Sequence, residues 1–168
     1  MLKKILSFLL LVIFTILIYV FQLYFFNNLT FWGVHADLPL VFLIVFALCE
    51  KTKAIYVFGV ILGVISDILF YTSFGKYLLI YLIVCTILIS FKNTYKQESK
   101  AAIAIFSVVG TITSVAILYI FNIFEKKEFL NLLFVLWQSI KLLFVNLFFC
   151  YIIYLVYAKT IKKLKLGD

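Results

Sequence analysis

The sequence predicts an all-α, polytopic membrane protein: six transmembrane helices in one bundle, with both termini in the cytoplasm. Three observations lead there. The 168 residues are 67% hydrophobic and 13% charged, against about 45–50% and about 25% in soluble domains. A chain of this size has too little interior to hide that much apolar surface from water. The charged residues also gather between apolar runs rather than within them, the pattern that a bilayer imposes. The intervening segments are too short to fold separately and no internal repeat is evident, so residues 1–168 form one integral membrane domain.

The elements follow in order. Lys3 and Lys4 precede a first run, Ile5–Phe26. It is longer than the core of about 7–15 residues in a signal peptide and has no small-residue cleavage site, so it reads as a retained span. Asn27–Asp37 is a polar break in which Phe31 and Trp32 suit the membrane interface. The second run, Leu38–Cys49, is short enough to be re-entrant by length alone. After the charged turn Glu50–Lys53 come runs three to six: Ala54–Tyr71, Tyr77–Phe91, Ala101–Phe124 and Phe129–Ala158.

Charge decides the status of the second run. With six crossings, Lys3, Lys4, Lys51, Lys53, Lys92, Lys96, Lys100, Lys159, Lys162, Lys163 and Lys165 share one side. Lys76, Lys126 and Lys127 lie on the other. A re-entrant second run would put most of the lysines outside, against the positive-inside rule, so six spans are expected. The net charge of +8 thus reports orientation. All the basic residues are Lys, so the guanidinium fork that grips phosphate is absent and a nucleic-acid partner is not expected.

The third run carries the most informative spacing, Gly59, Gly63 and Asp67, which share one helix face. The glycines admit a close neighbour, and a carboxylate at that depth needs a partner. Asp37, at the outer end of the second run, suits an N-cap. Two carboxylates near one side could bind a cation or exchange protons, but packing and capping are the simpler roles. Lys141, in the sixth run, is the best candidate for an intramembrane ion-pair companion of Asp67. It shares a stripe with Asn131 and Gln138, and that stripe is expected to face the bundle interior, whereas Asn146 points away from it. Ser107, Gly110, Thr111 and Ser114 form a small-residue stripe on the fifth run.

Enzyme signatures are missing. There is no H-E-x-x-H, G-x-S-x-G or P-loop. His35 has no companion ligand, and Cys49, Cys85 and Cys150 are far apart, so no metal, cofactor or disulfide is expected.

The order Asp37-Leu38, a short apolar span, a charged turn, G-x-x-x-G-x-x-x-D and a following glycine resembles the MreD family of bacterial rod shape-determining membrane proteins. Asp37, Leu38, Gly59, Gly63, Asp67 and Gly75 carry the resemblance, which covers the stretch from Ala36 to Ile83. Two features depart from the family's pattern. Ala36 stands where Pro is usual, and Glu50–Lys53 replaces a common Arg-Gly. The resemblance implies a non-enzymatic scaffold of the peptidoglycan elongation machinery in the cytoplasmic membrane, with Asp37, Gly59, Gly63, Asp67 and Gly75 in helix packing or partner positioning. It implies an MreC-type partner, links to MreB, RodA and a penicillin-binding protein, and no small-molecule substrate. It also implies a fold similar to the S-components of energy-coupling-factor transporters. That likeness supplies the rival reading, a vitamin- or metal-binding uptake subunit. Such subunits dock through small residues on the first span, and here that run has no Ala or Gly. An ion carrier using Asp67 is a third reading.

Overall fold

The computed structural model describes residues 2–70, 75–92, 100–126, 132–157 and 160. Asn131 and the lysines of the tail lie outside the described residues. Among the described residues six α-helices follow one another: α1 (Leu2–Phe21), α2 (Leu38–Cys49), α3 (Thr52–Leu69), α4 (Lys76–Lys92), α5 (Lys100–Lys126) and α6 (Leu132–Tyr157). Four of the helical segments are long and apolar enough to cross a membrane: Phe8–Phe26, Thr52–Leu69, Ala101–Phe124 and Leu133–Tyr157. The remaining helices have 12 residues in α2 and 17 in α4.

The helices run up and down. At one end Tyr19 reaches Leu62 and Ser66, Gln22 reaches Leu38, and Tyr81 reaches Asp37. At the other, Lys92 reaches Ala47 and Tyr157 reaches Glu50. We call these the Asp37 end and the Glu50 end.

Helix α2 is the axis of the bundle. It packs against every other helix, and Val41 to Val45 have 0% of their surface exposed. A helix that is apolar all round belongs in a core, and LPLVFLIVFALC is such a sequence. Aromatic rings fill the space around it. Phe46 stacks on Phe58 with centroids 4.2 Å apart, Phe42 meets Phe58 edge-on at 5.2 Å, and Tyr157 lies 6.3 Å from Phe46.

The other helices bury one face and expose large apolar side chains on another. Phe8, Ile13 and Ile16 of α1, Val57 and Ile68 of α3, and Leu133, Phe144 and Phe148 of α6 are all exposed. Surfaces of that kind suit lipid or an apolar protein partner rather than water.

Between α1 and α2 the chain passes through a π-helical turn, Gln22–Phe26. A tight turn follows, in which Phe31 and Val34 exchange backbone hydrogen bonds of 2.8 and 3.0 Å. Trp32 and Gly33 both adopt positive φ, 52° and 80°, the signature of a type I′ turn. Phe26, Phe31 and Phe149 form an aromatic trio that seats this loop on α6.

The glycine face of α3 looks at α4. A Cβ on Gly63 would sit 2.5 Å from Leu78 Cα and 3.0 Å from Leu78 N, so the two backbones touch there. A Cβ on Gly59 would sit 2.6 Å from Cys85 Sγ, a side-chain atom. The stripe on α5 faces α2: Ser107, Thr111 and Ser114 are buried, and a Cβ on Gly110 would collide with Ile44.

These two glycine contacts predict different mutational behaviour. Gly63→Ala and Gly59→Ala should each destabilise by about 1–3 kcal/mol, the usual cost of overpacking. Gly59→Ala should be largely rescued by Cys85→Ala, whereas Leu78→Ala should not rescue Gly63→Ala, because backbone atoms cannot be trimmed. Melting temperatures of the four variants and two pairs in detergent check this.

Candidate functional site: polar groups at the helix ends

A helix leaves four N–H and four C=O groups unpaired at its ends. Where water is excluded, each such group costs several kcal/mol unless something else pairs with it. For α2 the cost is acute, because the helix is buried from Leu38 to Leu48 and its two caps, Asp37 and Glu50, are themselves partly buried. Three of the buried polar side chains, Gln22, Thr111 and Asn146, converge at its start.

At the N-terminus of α2, Asp37 Oδ1 accepts the Leu40 N–H at 3.1 Å, and Pro39 in the first turn has no N–H to satisfy. The Leu38 N–H donates to Gln22 Oε1 at 2.9 Å, while Gln22 Nε2 donates to the Ala36 carbonyl at 3.0 Å. The Asp37 N–H donates to Asn146 Oδ1 at 3.3 Å, and Asn146 Nδ2 donates to Thr111 Oγ1 at 3.3 Å. The Tyr81 hydroxyl completes the group, 3.5 Å from Asp37 Oδ1. Thus the π-turn after α1 and helices α4, α5 and α6 all contribute to one cap.

The C-terminus of α2 is held by a cation. Lys92 Nζ, from the last turn of α4, donates to the carbonyls of Ala47 at 2.7 Å, Leu48 at 3.3 Å and Glu50. Positive charge is favoured there by the helix dipole as well. The Glu50 side chain accepts from the Tyr157 hydroxyl at 2.6 Å, which ties α6 to the same end.

Asp67 does for α4 what Asp37 does for α2, but from another helix. Its Oδ1 accepts the Tyr77 N–H at 2.7 Å. Its Oδ2 accepts the N–H groups of Gly75 at 2.9 Å and Leu78 at 3.3 Å. Gly75 has φ +97°, a conformation that favours glycine, and this turns its N–H toward the carboxylate. Gly59, Gly63, Asp67 and Gly75 are therefore parts of one device that fastens α3 to α4. The neighbouring Ser66 adds a second link, to α1, through the Tyr19 hydroxyl 2.8 Å away.

Lys141 is not brought to Asp67. Its ammonium lies over the ring of Trp137, 5.4 Å from the centroid, a cation–π contact within α6. Asp67 faces α4, a helix away from α6, and backbone N–H groups occupy both of its oxygens. The candidate Asp67–Lys141 ion pair is therefore not formed in this structure. The expected inward face of α6 is corrected too. Gln138 and Lys141 are only half-buried, while Asn146 is fully buried. A separation of five residues turns Asn146 well away from Lys141 around the helix.

Sequence reasoning missed Gln22, Tyr81, Lys92 and Asn146 as cap components. Gln22 and Asn146 do interrupt otherwise apolar runs, which is the signal that could have found them.

The bundle also carries a cleft of about 350 Å³ between α5 and α6 at the Asp37 end. Neither Asp37 nor Asp67 lines it. Among the described residues, no three His, Cys, Asp or Glu side chains gather as a metal site, and Cys85 and Cys150 are buried thiols outside any disulfide.

The Asp67 device yields a graded prediction. Asp67→Ala strands three N–H groups, each costing about 1–3 kcal/mol when enclosed, and should destabilise the protein by at least about 3 kcal/mol. Asp67→Asn keeps one acceptor oxygen and should cost about half as much. Cys85 and Cys150 are buried, so the labelling of thiols by a maleimide dye on heating reports the unfolding.

With this geometry in place, comparison with known proteins gives one match. The profile of the family described as rod shape-determining protein MreD matches residues 2–160, nearly the whole chain. No curated protein and no solved structure gives a significant match.

Proposed function

The chain belongs to the MreD family of rod shape-determining proteins, and from that premise we propose that it is a non-catalytic scaffold of the machinery that elongates the bacterial cell wall. The family match across residues 2–160 carries this reading. The chemistry of the buried groups supports it, since Asp37 and Asp67 are spent on backbone N–H donors at helix starts. A carboxylate so occupied holds helices together; it is not presented to a substrate.

In this proposal all six helices cross the cytoplasmic membrane, and the Glu50 end faces the cytoplasm. Eleven of the lysines belong to that end and its flanking segments by the up-and-down order of the helices, as the positive-inside rule favours. The 12 residues of α2 span about 18 Å, well short of a hydrocarbon core of about 30 Å. The loop carrying Phe31 and Trp32 fills the rest of that path at the outer boundary.

The scaffold binds an MreC-type protein and, through it, the wall-synthesis enzymes. Its lipid-facing helices are the surfaces available to partners within the membrane. The six-helix body, fastened by caps at both ends of α2, presents those surfaces in a fixed arrangement.

Depletion in a rod-shaped host should turn rods into spheres within a few generations, and affinity purification of the tagged chain should recover an MreC-type protein. Unchanged cell shape on depletion contradicts the proposal. Recovery of transporter ATPase subunits in place of wall-synthesis proteins contradicts it in favour of an uptake role.

A further inference from the structure

Helix α6 carries two seams of side chains. One, made of Asn146, Cys150, Ile153 and Tyr157, is buried and packs α6 into the bundle. The other runs along the outward side as Phe134, Trp137, Lys141, Phe144, Phe148 and Tyr151. Its aromatic members are all exposed, Phe134, Trp137, Phe144 and Phe148 by more than half. Successive members are three or four residues apart in strict alternation, the spacing by which one helix sets its side chains into another at a crossing angle of about 20°. Aromatic side chains are also the ones enriched where proteins meet.

Lys141 is the informative member of the outward seam. Five residues from the buried Asn146, it lies about 140° away around the helix. It therefore points out of the bundle, although intramembrane charges almost always point inward. Along the axis it is about 14 Å from Leu132 and about 24 Å from Tyr157, the two ends of α6. Its ammonium bends back one turn to the ring of Trp137, 5.4 Å from the centroid. Trp137 is itself about 8 Å inside the start of α6, so the charge stays within the apolar span Leu133–Tyr157. Among the described residues that ring is the partner of the ammonium. A cation–π contact offsets only part of what a charge loses on leaving water.

We propose that the outward seam of α6 docks a transmembrane helix of a partner protein, and that this helix carries an aspartate or glutamate that pairs with Lys141. That a partner lies in the membrane at all rests on the scaffold reading. A single lysine in an otherwise apolar seam fixes the register and the choice of partner, and a countercharge at this depth has to come from a protein side chain, because lipid anions stay at the membrane faces. A second copy of this chain does not supply it. Parallel copies meeting along this seam would set Lys141 against Lys141, and the carboxylates of Asp37 and Asp67 are already held by backbone N–H groups. The seam also borders space for a helix. Toward the Glu50 end, Phe144, Phe148 and Tyr151 form one wall of a groove of about 390 Å³, and Ile103 and Ala104 of α5 form the other. The small Ala104 lets a neighbouring backbone come close.

Photo-crosslinking of the full chain in native membranes tests this, with benzoylphenylalanine placed at Phe144 and the adducts sequenced by mass spectrometry. The expected adduct is a transmembrane segment that contains Asp or Glu. Lys141→Glu should reduce it about thirtyfold or more, whereas Lys141→Arg should preserve it. Changing the partner's carboxylate to lysine should restore the adduct in the Lys141→Glu variant, a rescue that a folding defect would not allow. Because the contact of Lys141 lies within α6, Lys141→Glu should also leave the thermal labelling of Cys85 and Cys150 in the isolated chain unchanged. Adducts with lipid alone, with a second copy of this chain or with a segment lacking a carboxylate overturn the proposal, as does the absence of any adduct. So does an adduct indifferent to Lys141→Glu, or a loss that the exchanged charges do not restore. Each of these results leaves the scaffold reading standing, which the cell-shape depletion tests separately.

Discussion

The organisation of this protein depends on one constraint: backbone polar groups at the ends of a short helix buried inside an apolar bundle must all be paired. Water reaches these ends only in part, because α2, with 12 residues, is buried from Leu38 to Leu48. Each unpaired N–H or C=O there would cost several kcal/mol, comparable to much of the net stability of a domain. The solution draws on the rest of the chain. Gln22, Asp37, Tyr81 and Asn146 surround one end, and Lys92 takes the carbonyls at the other. Because these side chains come from different helices, capping α2 also fixes where those helices sit.

Asp67 repeats the solution at the α3–α4 turn. The glycines on the same face let the two backbones touch at Gly63 and Leu78, which brings the N-terminus of α4 within reach of the carboxylate. Close packing and capping are thus coupled: adding a side chain at Gly63 would move the donors away from Asp67. In the scaffold role proposed above, a body fastened in this way would hold partners in position. This agrees with membership of a family whose members determine rod shape, and it gives the acidic residues a structural explanation without any reaction.

Much of this was legible in the sequence, for identifiable reasons. The apolar runs and charged breaks mark the helices to within a few residues, and the second run coincides with α2. The N-cap residue Asp37 is legible because capping is local and uses a known residue type just before an apolar run. The glycine face of α3 is legible from its spacing of four. The partner of Asp67 was not, and the reason is physical. Its partners are backbone N–H groups, which nearly every residue possesses, so no side chain in the sequence announces them. A search for an opposite charge leads to Lys141, whose ammonium rests on Trp137 instead. Lys92 was hidden for the opposite reason: it counts as one of many interfacial lysines until tertiary structure brings it to the end of α2.

Site-resolved amide hydrogen exchange on the full chain in lipid nanodiscs tests the central claim most directly. The account predicts that the N–H groups of Leu38, Leu40, Tyr77 and Leu78 exchange as slowly as those in the middle of α2, although all four lie at helix starts, where amides ordinarily exchange fast. Exchange at these positions as rapid as that of the exposed loop residue Trp32 would show that the ends are open to water and would contradict it.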